Sequence, residues 1–193
     1  MTLPNRHFVL WACLGPVLLC AASARQYTPV YLPIPEGHTG TAAAVNAGGE
    51  VLGTECDTLS NCTLFFWSAR TGLHTVVSLS ANVSAPLLLS DNGEVPLALP
   101  TTTGWGIYLW SERAGLQQIA ELPVAPVIAG VSDKGEVAGT VVVGGKSQAF
   151  VAGSQSGVKY LGTLVPEGSS EAKGIDDRGT VMGVATAPCA SGL

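Results

Sequence analysis

One short pattern recurs four times along this chain, and it limits the fold more than any other feature. Val45-Asn46-Ala47-Gly48-Gly49-Glu50-Val51-Leu52-Gly53 returns first as Leu89-Ser90-Asp91-Asn92-Gly93-Glu94-Val95. It returns again as Val131-Ser132-Asp133-Lys134-Gly135-Glu136-Val137-Ala138-Gly139 and as Ile175-Asp176-Asp177-Arg178-Gly179-Thr180-Val181-Met182-Gly183. The turn glycines Gly49, Gly93, Gly135 and Gly179 stand 44, 42 and 44 residues apart. Three further markers keep that step. Leu64-Phe65-Phe66-Trp67 is matched by Ile107-Tyr108-Leu109-Trp110 and Ala149-Phe150-Val151-Ala152. Gly72-Leu73 is matched by Gly115-Leu116 and Gly157-Val158, and Pro35-Glu36-Gly37 by Pro166-Glu167-Gly168, 131 residues on. Several markers sharing one period identify a repeat architecture.

Each marker has a physical meaning. A polar residue and a glycine between two short apolar runs make a tight hairpin, with glycine taking the positive φ that the turn requires. Leu87–Ser90 then pairs with Glu94–Leu99, and Val127–Ser132 with Glu136–Val142. The aromatic string is a third strand whose rings fill the space between sheets. The Gly-Leu marker opens a fourth, as in Leu116–Leu122 and Val158–Leu164. Four short strands every ~43 residues are the arithmetic of a propeller blade. The fold expected is therefore all-β, a β-propeller-like array of about four antiparallel blades of ~43 residues with the last blade incomplete. Helical repeats fit poorly, because the runs are short, rich in Val and Thr, and broken by glycine at every turn. The 24 glycines and 12 prolines are scattered as turn formers, and a chain 47% hydrophobic and only 12% charged is too apolar to be disordered.

The repeats are placed at about 31–76, 77–119, 120–161 and 162–185, within a domain spanning 25–185 and followed by a tail at 186–193. Gln26 to Ile34 reads as a strand of the fourth type. Paired beside Thr180–Ala185, it would close a four-bladed ring with a thin last blade. Left unpaired, it leaves an open fragment whose edge invites other chains, self-association included. A β-solenoid-like or open sandwich arrangement is a further alternative.

The first residues read as an export signal. Arg6 is the positive start, Phe8 to Leu19 the short apolar run, and Ala22-Ser23-Ala24 the small residues of a cleavage site, with cleavage after Ala24. The run is shorter than the ~20 residues a membrane helix needs, so residues 1–24 are a signal peptide and no permanent membrane anchor is expected. A lipoprotein signal at Cys20 is disfavoured because Leu19, just before it, is not small. The location expected is secreted or periplasmic. Two of five cysteines, Cys13 and Cys20, leave with the signal. Cys56 and Cys62 bracket a polar loop and are expected to form a disulfide, two free thiols being the alternative. Cys189 is then left over. No Cys or His stands at zinc-like spacing, so neither metal nor cofactor is expected. A net charge of -5 without any basic stripe gives nucleic acid no footprint.

The residues Leu161-Gly162-Thr163-Leu164, then Ala172-Lys173-Gly174-Ile175-Asp176, then Gly179, Val181 and Gly183 resemble the HAF-repeat family of extracellular bacterial proteins. That family's unit runs Leu-Gly-Thr-Leu-Gly-Gly, then Ala-x-Gly-Ile-Asn-x-x-Gly-x-Val-x-Gly, then His-Ala-Phe-Leu-Trp. The resemblance spans Tyr31 to Ala185 and implies an exported β-repeat protein; it implies no activity. The family's histidine is replaced here by Thr63, Gly106 and Gln148, and the second copy is the most eroded, with Leu97 where Gly53 and Gly139 stand.

Candidate chemistry is sparse. His38 and His74 fall in different places, one in a loop and one beside a strand, and read as unrelated surface or half-buried residues. Asp91, Asp133, Asp176 and Asp177 recur at turns, where capping is favoured over cation binding because the dense spacing of a calcium loop is missing. Trp67, Trp105, Trp110, Tyr108 and Phe66 read mainly as packing between blades. Trp105, in the polar loop Thr101-Thr102-Thr103-Gly104-Trp105-Gly106, is the aromatic best placed to touch a ligand. Asn61-Cys62-Thr63 and Asn82-Val83-Ser84 match the glycan acceptor pattern, accidentally if the source is bacterial. The function expected is an exported, non-catalytic binding or scaffold module with a protein or glycan partner. The alternatives are a fragment of a longer repeat protein and a propeller enzyme with an unrecognised site.

Overall fold

The structure is a computed structural model that describes residues 28–79 and 85–186. The chain divides into Met1–Tyr31 and Leu32–Leu193, and every described strand lies in the second unit. The expected signal peptide, Cys189 and the acceptor site at Asn82 fall outside the described residues.

All described elements are β-strands, and every pairing is antiparallel. β1 (Thr39–Val45), β2 (Val51–Cys56), β3 (Cys62–Ser68) and β4 (Gly72–Leu79) form one sheet in chain order. The second sheet has β5 (Val95–Pro100), β6 (Trp105–Ser111) and β7 (Gly115–Leu122). The third has β8 (Val127–Val131), β9 (Val137–Val143), β10 (Lys146–Gly153) and β11 (Gly157–Tyr160). A two-stranded sheet of β12 (Ser169–Ile175) and β13 (Val181–Thr186) ends the series. The sequence repeat is thus one sheet per copy. A register shift recurs in the first strand of three copies, at Ala42/Ala44, Ile128/Gly130 and Ala172/Gly174. Such bulges bend a strand and increase its twist, so the copies share their curvature as well as their sequence.

Neighbouring sheets are joined by apolar clusters. Leu52, Leu64 and Phe66 of the first sheet meet Val95, Leu97 and Trp110 of the second, with the rings of Phe66 and Trp110 5.1 Å apart and tilted. Ala98, Ile107, Leu109 and Leu122 of the second meet Ile128, Val137, Val141 and Phe150 of the third. Ala138 and Ala149 of the third meet Ala172 of the fourth. Successive sheets bury apolar side chains against one another, as repeat architectures do.

Two expected strands are missing. Residues 28–34 carry no strand, so the described part of Gln26–Ile34 closes no ring. Leu87–Ser90 is not a strand either, although Ser90 N–H still bonds Glu94 O at 3.1 Å and closes the hairpin turn. Pro86 has no N–H to give a ladder, and Leu87 sits at φ 48°, outside the extended region. Leu87 and Leu89 keep their contacts with the core without pairing. β5 is left at the edge of its sheet, where Pro96 is tolerated.

The Cys56–Cys62 disulfide is formed and joins paired residues at the far end of the β2–β3 hairpin. Asp57 orders the loop it closes, its carboxylate accepting from the backbone N–H groups of Leu59 (2.8 Å) and Asn61 (2.9 Å) and from the Asn61 amide (2.8 Å). These bonds, that of the Asn61 side chain foremost, hold the Asp57 carboxyl below its ordinary pKa. Changing both cysteines to serine removes a restraint on the unfolded chain worth about 2 kcal/mol for so short a loop. Urea unfolding of the double variant is expected to show a loss of that size with secondary structure intact.

Candidate functional site

The four recurring turns lie side by side and are bonded into a ladder. Within each turn the first polar residue caps its own backbone. Asn46 Oδ1 accepts from Glu50 N–H at 3.0 Å, Ser90 Oγ from Glu94 N–H at 3.1 Å, Ser132 Oγ from Glu136 N–H at 3.3 Å, and Asp176 Oδ1 from Thr180 N–H at 2.7 Å. The turn glycines Gly49, Gly93, Gly135 and Gly179 take φ values of 75°, 76°, 72° and 87°, the left-handed region that costs other residues most.

The second residue does something else. The Asp91 carboxylate accepts from Ala47 N–H at 2.9 Å, Asp133 from Asp91 N–H at 2.9 Å, and Asp177 from Asp133 N–H at 3.2 Å. Each aspartate reaches back to the turn one repeat earlier. Turn capping therefore holds for Asp176 alone of the acidic series; Asp91, Asp133 and Asp177 are bridges between repeats. Further bonds run the other way: Asn46 to Ser90 O (3.0 Å), Asn92 to Asp133 O (2.6 Å) and Lys134 to Arg178 O (2.9 Å). The glutamates complete the pattern. A Cβ added to Gly93, Gly135 or Gly179 would fall 2.7, 3.5 or 2.7 Å from a carboxylate oxygen of Glu50, Glu94 or Glu136 respectively. The glutamate of each of the first three copies thus lies over the turn glycine of the next.

Both ends of the ladder are altered in sequence. The first copy has Ala47 where a backward-reaching aspartate would stand, and the last has Thr180 where a forward-reaching glutamate would stand. A junction running from the fourth copy to the first would need both groups and has neither.

Asp133→Ala removes the acceptor for Asp91 N–H and is expected to cost about 1 kcal/mol. Asp133→Asn keeps an oxygen there and is expected to restore most of it, as urea titration of both variants would show. Glu94 is the strained member of the set. Its Oε2 is buried without a hydrogen-bond partner, and burial first, the Asp133 charge second, push its pKa upward. A carboxyl whose pKa is raised on folding stabilises the protein fully below its unfolded value, and that contribution fades as pH rises through the folded value. Glu94→Gln is therefore expected to raise the melting temperature at pH 7. The gain should shrink to nothing at about pH 4, near the ordinary carboxylate range, and thermal melts across that interval would show it.

The remaining candidates are scattered. His38 Nδ1 lies 2.6 Å from Glu55 Oε1 beside the disulfide loop, whereas His74 is in β4, paired with Phe66, its Nε2 buried without a hydrogen-bond partner. Trp105 is not in a loop: it is the first residue of β6, pairs with Pro100 and Leu122, and packs half-buried against the apolar cluster of the second and third sheets. Asn61 is exposed and bonded to Asp57. Among the described residues no three His, Cys, Asp or Glu side chains gather closely enough to hold a metal ion. Among them, too, no helix is long and apolar enough to cross a membrane.

Where the polar residues are spent on the ladder, the last sheet leaves an opening. A hollow of about 360 Å³ is lined by Gly174, Ile175, Asp176, Thr180, Val181 and Met182. A second of about 150 Å³ lies between Val181, Gly183, Val184 and Ala185 of β13, Ser170 and Glu171 of β12, and Ala149 and Leu161 of the third repeat.

No family model matches the chain, and no curated protein matches it. Among solved structures it is similar to the dipeptidyl peptidase 4 of Porphyromonas gingivalis, with a TM-score of 0.54 and 14% identity, over 74% of this chain and 22% of that one. The chain spans about a fifth of that protein's length, and a likeness at such low identity is one of fold.

Proposed function

We propose that the chain is an exported, non-catalytic scaffold built as an open arc of propeller-like blades, serving to bind a protein or glycan partner. The observation that carries this reading is the ladder. Of the acidic residues that recur at the turns, the natural candidates for chemistry, Asp91, Asp133 and Asp177 each accept a backbone bond from the turn one repeat earlier, and Asp176 caps its own turn. One sheet per copy, with apolar clusters between successive sheets, supports the blade reading, as does the likeness in fold to part of a much longer protein. The missing Asp at 47 and the missing Glu at 180 favour an arc over a closed ring. Export is supported by the disulfide, which persists in oxidising compartments, and by the leader-like residues 1–24. The resemblance to the HAF-repeat family belongs to the same reading.

The test is direct. The chain lacking residues 1–24 is applied to a glycan array and used as bait against a secreted-protein fraction, and in parallel is incubated with chromogenic peptide and glycoside substrates. Selective, saturable retention of one partner without turnover is the expected result. Turnover abolished by substitutions at His38 or Glu55, with no partner retained, would overturn the proposal in favour of an enzyme.

A further inference from the structure

Among the described residues the outer edge of β13 is unpaired, and the sister sheets define the shape of what would pair there. In the first and third copies the second strand carries a glycine facing a phenylalanine on the third strand: Gly53 pairs with Phe65, and Gly139 with Phe150. In each pair the ring lies over the glycine, so that a Cβ there would stand 2.5 Å from Phe65 Cζ or 2.7 Å from Phe150 Cζ. On its other side that Cβ would meet a backbone oxygen of the first strand, Thr41 O or Val127 O. The fourth copy keeps half of this arrangement. Gly183 of β13 still faces the backbone oxygen of Glu171 in β12, but the three atoms nearest its Cβ position all belong to β12, and no ring is among them. On that face lies the hollow of about 150 Å³ whose far wall is Ala149 and Leu161 of the third repeat. The second copy shows what happens when no ring is wanted. There Leu97 replaces the glycine and is fully buried, and the facing Tyr108 ring lies instead over Gly106. The fourth copy has not made that exchange.

We propose that β13 is an acceptor edge for an antiparallel strand supplied in trans, one that carries a phenylalanine opposite Gly183 and inserts its ring into the hollow against Ala149 and Leu161. Such strand addition draws affinity from backbone bonds and specificity from a side-chain pocket. The occupant is a partner segment of the aromatic third-strand type, apolar around one phenylalanine. It continues the sheet interface already present in β2–β3, β5–β6 and β9–β10. The proposal rests on the repeat-array reading and names the binding site within it.

The probe is the peptide Lys-Ser-Gln-Ala-Phe-Val-Ala-Gly, a copy of β10, labelled with a fluorophore and titrated into the unaltered chain lacking residues 1–24. Anisotropy is expected to saturate at one peptide per chain. Changing the peptide's phenylalanine to alanine should weaken binding by about tenfold or more, as for a buried aromatic anchor. Hydrogen exchange should show new protection on Val181–Thr186 and none on β9. Protection appearing on β9 instead, binding indifferent to the phenylalanine, or no binding at millimolar peptide would overturn the proposal. So would protection of β13 before any peptide is added, which would make a second copy or the chain's own residues 187–193 the occupant. Exchange in the free chain keeps the two readings apart: slow exchange through β5, β6, β9 and β10 upholds the array even where the peptide fails to bind.

Discussion

Phe150→Ala is expected to cost about 3–5 kcal/mol and to lower the melting temperature by about 10 °C for a chain of this size. Phe150 is fully buried, pairs with Gly139, and belongs to the cluster that joins the second sheet to the third. Truncation removes the ring and leaves its space over a glycine, which has no side chain with which to refill it. The site therefore relaxes little, and the cavity cost adds to the transfer cost. In a linear array the loss also weakens a junction on which every later repeat depends. Urea titration followed by tryptophan fluorescence should separate this variant from Tyr108→Ala. Tyr108 is only half-buried, its ring faces Gly106, and its hydroxyl makes one long bond to Gln118 at 3.4 Å, so its loss should cost much less.

Gly53→Val attacks the same design from the strand side and is expected to cost about 3 kcal/mol, the upper end of ordinary overpacking. A side chain there meets Phe65 on one side and the backbone oxygen of Thr41 on the other. The ring has no room to turn aside, because Phe65 is buried, and the backbone of β1 is held by its register with β2. Both obstacles have to shift together. Calorimetry of Gly53→Val beside Gly72→Ala would make the contrast plain. A Cβ at Gly72 meets open space, and only its φ of 85° resists substitution, at a cost of about 1 kcal/mol.

Much of this fold was legible in the sequence because its signals are local. A glycine flanked by polar residues between apolar runs announces a hairpin wherever it stands, and the four turns form at the expected glycines. The aromatic strings became third strands for the same reason, since their rings have no room except between sheets. The disulfide followed from two cysteines set across a short polar loop. Reading failed where the outcome depended on neighbours in space. Leu87–Ser90 looked like a strand, but Pro86 and the backbone of Leu87 decided otherwise. Trp105 looked stranded in a loop, because the extent of β6 is set by its pairing with Pro100 and Leu122. The sequence marks the aspartates as turn residues but does not show that three of them serve the neighbouring turn rather than their own. The clue lay in their phase: Asp91, Asp133 and Asp177 stand one residue after the capping position, and the first copy has alanine there. Only contact between successive turns gives that one-residue offset a meaning. Gly183 offered a similar clue, as a glycine retained in the one copy that lacks the third strand among its described residues.

The order of the repeats in space is the claim that a distance measurement reaches soonest. In the chain lacking residues 1–24, with Cys189 changed to serine and the Cys56–Cys62 disulfide left intact, spin labels placed at Gly48 and Asn92 report one junction of the ladder. Labels at Gly48 and Arg178 report the two ends. Pulsed electron resonance is expected to find the second separation clearly longer than the first, as an arc of four stacked sheets requires. Equal separations would place the fourth turn beside the first and contradict the account.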